Sequence, residues 1–176
     1  MYHKIKIDDA LFLDRLRYRY ALDIVDGMKD VKVYENTLNI PFPYFISDAI
    51  RYIDSIVSFE NKNGIQKEWA IVSNGIMIGA IGIHFNKGIE NHVSEIGYWL
   101  HKNYRGKGIM TRVLKEFTSF IFKTYKLSKL RATVFNHNPG SMRALEKASF
   151  KSEGTLIKEY QKDSKLIDGK VYGICK

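Results

Sequence analysis

The sequence predicts an α+β fold: a central mixed, mostly antiparallel sheet flanked by helices on both faces. Three observations carry this. Strand-like runs concentrate in the middle and at the end of the chain. Two helical patterns precede them and two more lie between them. Asn74-Gly75 separates two apolar runs, a strong signal for a two-residue antiparallel hairpin. The 176 residues suit a single domain, 1–176, with a substantial core, and no repeat, linker or low-complexity segment interrupts them.

The elements follow in order. Ile5 and Ile7, then Leu11 and Leu13, flank Asp8-Asp9 and predict two short paired strands. Residues 17–29 predict a helix with Ala21, Leu22 and Val25 on one side. The pattern stops over 30–46, where Pro41 and Pro43 each fix a backbone angle and remove a donor, predicting a shaped loop. Ser47 is placed to cap a following helix in which Ile50, Ile53, Ile56 and Val57 recur at helical spacing. Residues 69–73 and 76–85 form the hairpin strands, and 92–100 a third strand. Residues 106–125 predict a helix with Ile109, Val113, Phe117, Phe120 and Ile121 on one face. A strand over 130–136, a short helix over 138–148 and closing strands over 150–160 and 170–174 complete the order.

Composition sets further bounds. The sole cysteine, Cys175, can form neither an internal disulfide nor a cysteine-based zinc site. No histidine spacing suggests a metal centre, so no metal is expected. No apolar run is long enough to span a bilayer and the N-terminus carries no apolar leader, so no membrane is expected and a reducing, cytoplasmic setting is. The formal net charge of +9 fits an anionic partner: nucleic acid, a ribonucleoprotein or a polyphosphate cofactor. A solvated lysine-rich surface accounts for it equally well.

The chemistry concentrates after the third strand. Glu95-Ile-Gly-Tyr-Trp-Leu100 runs into His101-Lys-Asn-Tyr-Arg-Gly-Lys-Gly108, where a helix opens. The first amides of a helix lack internal partners and the helix dipole favours negative charge, so a strand, glycine turn and helix N-terminus make an anion site. Gly106 and Gly108 let backbone amides approach a phosphate, and Arg105 and Lys107 add charge. Thr111 stands where a dinucleotide fingerprint needs its third glycine, and no Gly-Lys-Ser/Thr follows as in a P-loop.

Tyr104-Arg-Gly-Lys-Gly-Ile-Met-Thr111 resembles the acetyl-CoA signature of the GNAT acetyltransferase superfamily, Arg/Gln-x-x-Gly-x-Gly/Ala, with Met110 in place of the small residue. The preceding Glu95–Leu100 segment resembles the ribosomal-protein-alanine N-acetyltransferase type. The resemblance implies a GNAT-like fold and acetyl-CoA as co-substrate. It implies that amides from Arg105 through Gly106, Lys107, Gly108 and Ile109 to Met110 hold the pyrophosphate, and that backbone at Trp99 and Leu100 pairs with the pantetheine arm.

A second motif, Asn136-His-Asn-Pro-Gly-Ser-Met-Arg-Ala-Leu-Glu-Lys-Ala-Ser-Phe150, sits where the family has Asn-x-x-Ser, a short helix and Gly-Phe. Asn138 suits a helix cap and Pro139 the first helical position. Ser149 replaces the family glycine. Many superfamily members carry a tyrosine seven residues after the asparagine, as acid for the departing thiolate; here that position is Leu145. The ribosomal-protein-alanine type has a serine three residues after the asparagine, and Ser141 occupies it. The resemblance therefore assigns Asn138 and Ser141 to the cofactor site and Ser141 also to catalysis. Asp163-Ser-Lys-Leu-Ile-Asp-Gly-Lys-Val-Tyr172 resembles the family's closing hairpin.

Acetyl transfer to an amine needs a neutral nucleophile. An α-amine titrates at about 8 and a lysine amine at about 10.4, so a protein N-terminus needs only modest help. Glu95 is the candidate base, acting through water, and its alternative is a solvent-facing strand carboxylate or an ion-pair partner. By strand alternation Glu95, Gly97 and Trp99 share a face, with Gly97 leaving room beside the acetyl group. Strand amides near 98–100 would serve as oxyanion donors. Tyr160 and Tyr172 are reserve acids whose plainer reading is aromatic packing. The segment 30–46 would wall the acceptor, with Asp30, Glu35 and Glu60 available to attract an amine. The expected activity is acetylation of a protein or peptide N-terminal amine by direct attack in a ternary complex, in a ribosomal or nucleoprotein setting, as monomer or homodimer. Acetylation of a polyamine, amino acid or aminoglycoside, and a non-catalytic CoA- or nucleic-acid-binding module, are the competing readings.

Overall fold

The computed structural model describes residues 4–176. Its strands are β1 (Ile5–Lys6), β2 (Leu11–Arg15), β3 (Glu68–Ser73), β4 (Ile76–Phe85), β5 (Val93–Leu100), β6 (Lys129–Phe135), β7 (Lys151–Lys162) and β8 (Lys165–Cys175). Its helices are α1 (Ala21–Met28), α2 (Val31–Glu35), α3 (Ile46–Asn63), α4 (Ile109–Thr124) and α5 (Pro139–Lys147). The strands form one sheet in the order β1-β2-β3-β4-β5-β6-β8-β7. Strands β5 and β6 run parallel, while β1–β2, β2–β3, β3–β4, β6–β8 and β7–β8 are antiparallel. The expected mixed, mostly antiparallel α+β architecture is therefore observed. No helix among the described residues is long and apolar enough to cross a membrane.

The chain divides into two compact units. The first runs to Ile83 and includes Tyr98–Arg105. Its helix α1 buries Ala21, Ile24 and Met28, spaced by three and four residues. Leu22 lies about 100° round the helix from Ala21, so it is 74% exposed and not part of the buried face the sequence suggested. The segment 30–46 is not wholly a loop. It contains α2, whose N-cap Asp30 accepts the Lys32 amide at 3.2 Å through Oδ1. Helix α3 begins one residue before Ser47, and Asp48 does the capping work: its carboxylate accepts the Phe45 amide at 2.7 Å. Helix α3 buries Ala49, Ile53 and Ile56 and ends at Gly64, whose φ of +65° reverses the chain. In the β3–β4 turn Asn74 and Gly75 take φ of 49° and 83°, the left-handed pair a two-residue hairpin requires.

The second unit comprises His84–Gly97 and Gly106–Lys176. Helix α4 buries Ile109, Val113, Phe117 and Ile121 along one stripe, with Leu114 beside it, while Phe120 is only half-buried. It begins at Ile109 rather than 106, because Gly106 and Gly108 adopt φ of 75° and 71° and cannot be helical. The closing strands are longer than expected. They join at Asp163-Ser164, both with positive φ (49° and 61°), a turn the sequence signalled only weakly. Strand β8 inserts between β6 and β7, in register from Lys129↔Cys175 to Phe135↔Gly169 on the β6 side.

Candidate active site

Strand β5 begins in regular alternation. Ser94 and Ile96 are buried, Glu95 is half-buried and Gly97 is exposed. Glu95 stands opposite Arg131 of β6 in the parallel register. A Cβ at Gly97 would find only His84 Nε2, at 3.8 Å, so the strand surface there is open and His84 flanks it. His84 is not among the residues the sequence singles out for the site; the period-two alternation of β4 is the signal that could have placed it.

The alternation lapses at the strand end, where Trp99 and Leu100 are both buried. The Trp99 ring packs against α1 at Gly27, where a Cβ would come within 2.7 Å of its Cη2. The side chain therefore belongs to the core of the first unit. The next residue pins the turn. The His101 amide donates to Ile78 O at 2.8 Å, its Nδ1 accepts the Asn103 amide at 3.2 Å, and Nε2 lies 3.3 Å from Asp26. An accepting Nδ1 leaves the ring proton on Nε2, which then donates to the carboxylate. Lys29 first, and His101 after it, hold the Asp26 carboxyl below its usual range.

Arg105 follows a single 3-10 turn over Lys102–Tyr104. Its Nε donates to the Leu100 carbonyl at 2.8 Å and its Nη1 forms an ion pair with Asp30 Oδ2 at 2.6 Å. The guanidinium, expected beside a phosphate, is thus committed to the strand end and to the start of α2. Its amide bonds Lys102 O at 3.3 Å.

In the second unit, no heavy atom lies within 4 Å of where a Cβ would stand at Gly106 or Gly108. Gly108 is the N-cap of α4 and has no side chain to cap it. The leading amides of this 16-residue helix have no intrahelical partner, and the positive end of its dipole lies behind them. Lys107 is exposed beside them, whereas Ile109 and Met110 are buried and contribute only backbone. Two open glycines, unpaired helix amides and a lysine suit a pyrophosphate better than any apolar ligand.

On α5, Asn138 Oδ1 accepts the Ser141 amide at 3.2 Å, so Asn138 caps the helix as its position predicted. Ser141 is half-buried on the first turn. Leu145, at the position where many relatives have tyrosine, is fully buried. Ser149 takes φ of 72°, the left-handed geometry that explains the family glycine there. Tyr172 Oη donates to Glu146 Oε1 at 3.0 Å, and burial and then Glu146 push its pKa up. Tyr160 packs on Phe135 with ring centroids 5.4 Å apart.

The structure also narrows the supply of acceptor carboxylates. Glu60 is 1% exposed and pairs with Arg15 Nε at 2.9 Å, so it is not available to an incoming amine. Asp30 is occupied by Arg105. Among the described residues no group of three or more His, Cys, Asp or Glu is placed to hold a metal ion.

Comparison with known proteins agrees with this arrangement. The family model for the acetyltransferase (GNAT) domain matches residues 11–151. The uncharacterized N-acetyltransferase YoaA of Bacillus subtilis is 31% identical over 134 residues, 74% of each chain. The probable N-acetyltransferase YjcK of the same organism is 40% identical over 79 residues, a match spanning 45% of this chain and 44% of that protein. Among solved structures, RimL, a ribosomal L7/L12 alpha-N-protein acetyltransferase in complex with coenzyme A, superposes with a TM-score of 0.86 at 17% identity, covering 98% of both chains, which shows a shared fold. With its glycine turn, its capped Asn-x-x-Ser helix and a family match over most of its length, the chain belongs to the GNAT acetyltransferases, acetyl-CoA-dependent N-acetyltransferases.

Proposed function

We propose that the acceptor is the N-terminal amine of a protein, in the manner of the ribosomal-protein acetyltransferases. The observation that carries this is the pairing of a serine on the first turn of α5 with a fully buried leucine at the alternative acid position. The [ribosomal protein uS5]-alanine N-acetyltransferase of Escherichia coli, 31% identical over 78 residues (44% of this chain, 38% of that protein), supports the reading. The loss of Glu60 and Asp30 to internal ion pairs also supports it, since a polyamine site needs free carboxylates.

Acetyl-CoA supplies the acetyl group as an activated thioester. Amides from Gly106 to Met110 hold its pyrophosphate, the Trp99 and Leu100 backbone aligns its arm, and Asn138 fixes the helix turn that presents Ser141. Glu95 takes the proton of the acceptor ammonium through water, a small task for an α-amine titrating at about 8. Ser141 Oγ holds a proton for the departing thiolate. The amine attacks directly in a ternary complex.

The test is thiol release from acetyl-CoA against peptides with free Ala, Ser, Thr or Met termini, alongside polyamines and aminoglycosides. Peptide-selective turnover that falls about 100-fold or more in Glu95→Gln and Ser141→Ala is expected. Turnover confined to small amines would refute the acceptor assignment.

A further inference from the structure

The charge of this protein is not spread evenly. The first 97 residues carry 11 Lys or Arg against 13 Asp or Glu. Residues 98–131 carry nine Lys or Arg against one acidic residue, Glu116. Among the described residues Arg105 pairs with Asp30 and Lys129 with Glu153, and Lys107 and Arg112 are also engaged. Most of the nine belong to α4 or flank it. Lys107 precedes the helix, Arg112, Lys115 and Lys123 stand on it, Lys126 follows it, and all five are exposed.

Helical geometry turns this run into a row. At 100° per residue Arg112, Lys115, Ser119 and Lys123 fall within about 80° of arc, with the exposed Glu116 about 20° beyond its edge, and Arg112 to Lys123 spans about 16 Å. The 16-residue helix itself is about 24 Å long. The large apolar residues of α4 are buried or, for Phe120, half-buried. The outer face therefore has charge without an apolar wedge, unlike a helix that inserts into a membrane surface. A straight row of cations suits a linear polyphosphate.

We propose that the solvent face of α4, centred on Lys115 and Lys123, is a docking ridge for the phosphate backbone of duplex RNA. The choice of RNA rests on the proposed ribosomal-protein acceptor; the ridge itself rests on the charge row. The contact would be sequence-independent and would hold the enzyme close to acceptor termini on a ribonucleoprotein, adding to affinity what the short acceptor peptide cannot.

The experiment measures anisotropy of a labelled RNA hairpin of about 20 base pairs with the full chain, in saturating CoA so that the amides at the start of α4 are occupied. Binding in the range of about 10⁻⁴ to 10⁻⁶ M is expected, weakening linearly in log–log form with salt. The double variant K115E/K123E should bind at least 10-fold more weakly and lose about two contacts' worth of salt slope, roughly 1.4 to 1.8. Its KM for acetyl-CoA and its peptide turnover should stay unchanged, which shows that it folds. The control K158E/K165E, on the β7–β8 hairpin, should bind RNA as the parent does. No RNA binding by the parent, equal loss in both double variants, or binding to phosphatidylserine vesicles in preference to RNA would each overturn the ridge. RNA binding that persists in a protein inactive on every peptide would sink the acceptor reading and leave the ridge standing.

Discussion

Gly79 offers a perturbation whose size can be worked from the coordinates. It sits in β4 opposite Ile71 of β3, and its other side faces the end of β5. A Cβ built there would clash with the Trp99 carbonyl oxygen and lie 3.2 Å from Leu100 Cα. The nearest obstacle is backbone rather than the tip of a flexible side chain. The strand end cannot retreat cheaply, because the His101 amide is bonded to Ile78 O at 2.8 Å and the Trp99 ring is locked on Gly27. Overpacking of this kind costs about 1–3 kcal/mol, and the reduced freedom of an alanine in the unfolded chain returns about 0.4–1 kcal/mol. Gly79→Ala should therefore destabilise by about 1.3 kcal/mol, or roughly 3–5 °C in Tm for a chain of this length. Urea denaturation at unchanged m-value is the assay, paired with KM for acetyl-CoA, which should rise because the displaced backbone is the proposed pantetheine contact. Gly97→Ala is the matched control: with only His84 Nε2 at 3.8 Å it should change stability by under about 0.5 kcal/mol while still lowering turnover if the open strand surface receives the acetyl group. A Gly79→Ala protein with parental stability and parental KM would refute the claim that the close approach fixes the strand end.

Three other outcomes are expected. Asp30→Asn keeps the Oδ1 cap on α2 but removes the charge facing Arg105; for a pair between surface and core the cost should be about 1–2 kcal/mol by urea midpoint, and no measurable cost would show that Arg105 does not need its partner. Burial, opposed by the Tyr52 hydroxyl and Lys67, pushes the Glu68 carboxyl up to about 7. Its folded pKa then exceeds an unfolded value of about 4.3, so the native state holds the extra proton; the contribution is fully present below about pH 4.3 and is lost as pH rises to about 7. Glu68→Gln should flatten that slope between about pH 5 and 7, and an undiminished slope there would assign it to another group. Ser149→Gly relieves a left-handed serine, worth about 1–2 kcal/mol, against about 0.4–1 kcal/mol of added unfolded-state freedom, so a net gain near 0.5 kcal/mol is expected; a loss would mean that the hydroxyl contributes more than the strain.

What the chain reveals without coordinates divides by range. Asn74-Gly75, Asn138-Pro139 and the glycine pair at 106 and 108 encode local backbone geometry, and each forms what its residues demand. Helix α2 was missed because five residues are too few to show a period, although Asp30 two positions before Lys32 is a cap in plain sight. Leu22 misled because an apolar residue one step from a buried one looks like part of the same face, whereas burial follows steps of three and four. The turn at Asp163-Ser164 lacks the glycine that would have marked it.

The site divides along the same line. The proposed pyrophosphate cradle is readable because its consecutive amides depend on no distant residue. The task of Arg105 is not readable, since an arginine beside two glycines looks like a phosphate ligand until Asp30 arrives from the start of α2. Glu60 looks like a candidate for an amine until Arg15 reaches it from β2. In both cases a charge that seemed free to bind a ligand is neutralised by one far away in the chain, because a half-buried ion is too costly to leave without a partner. The converse holds around α4: Lys115, Lys123 and Lys126 are exposed in a segment, 98–131, with a single acidic residue. Charges that folding pairs with one another report on stability, and charges that folding lines up on one face report on what lies outside the chain. That distinction, rather than the net +9, is what turns an ambiguous composition into a specific surface.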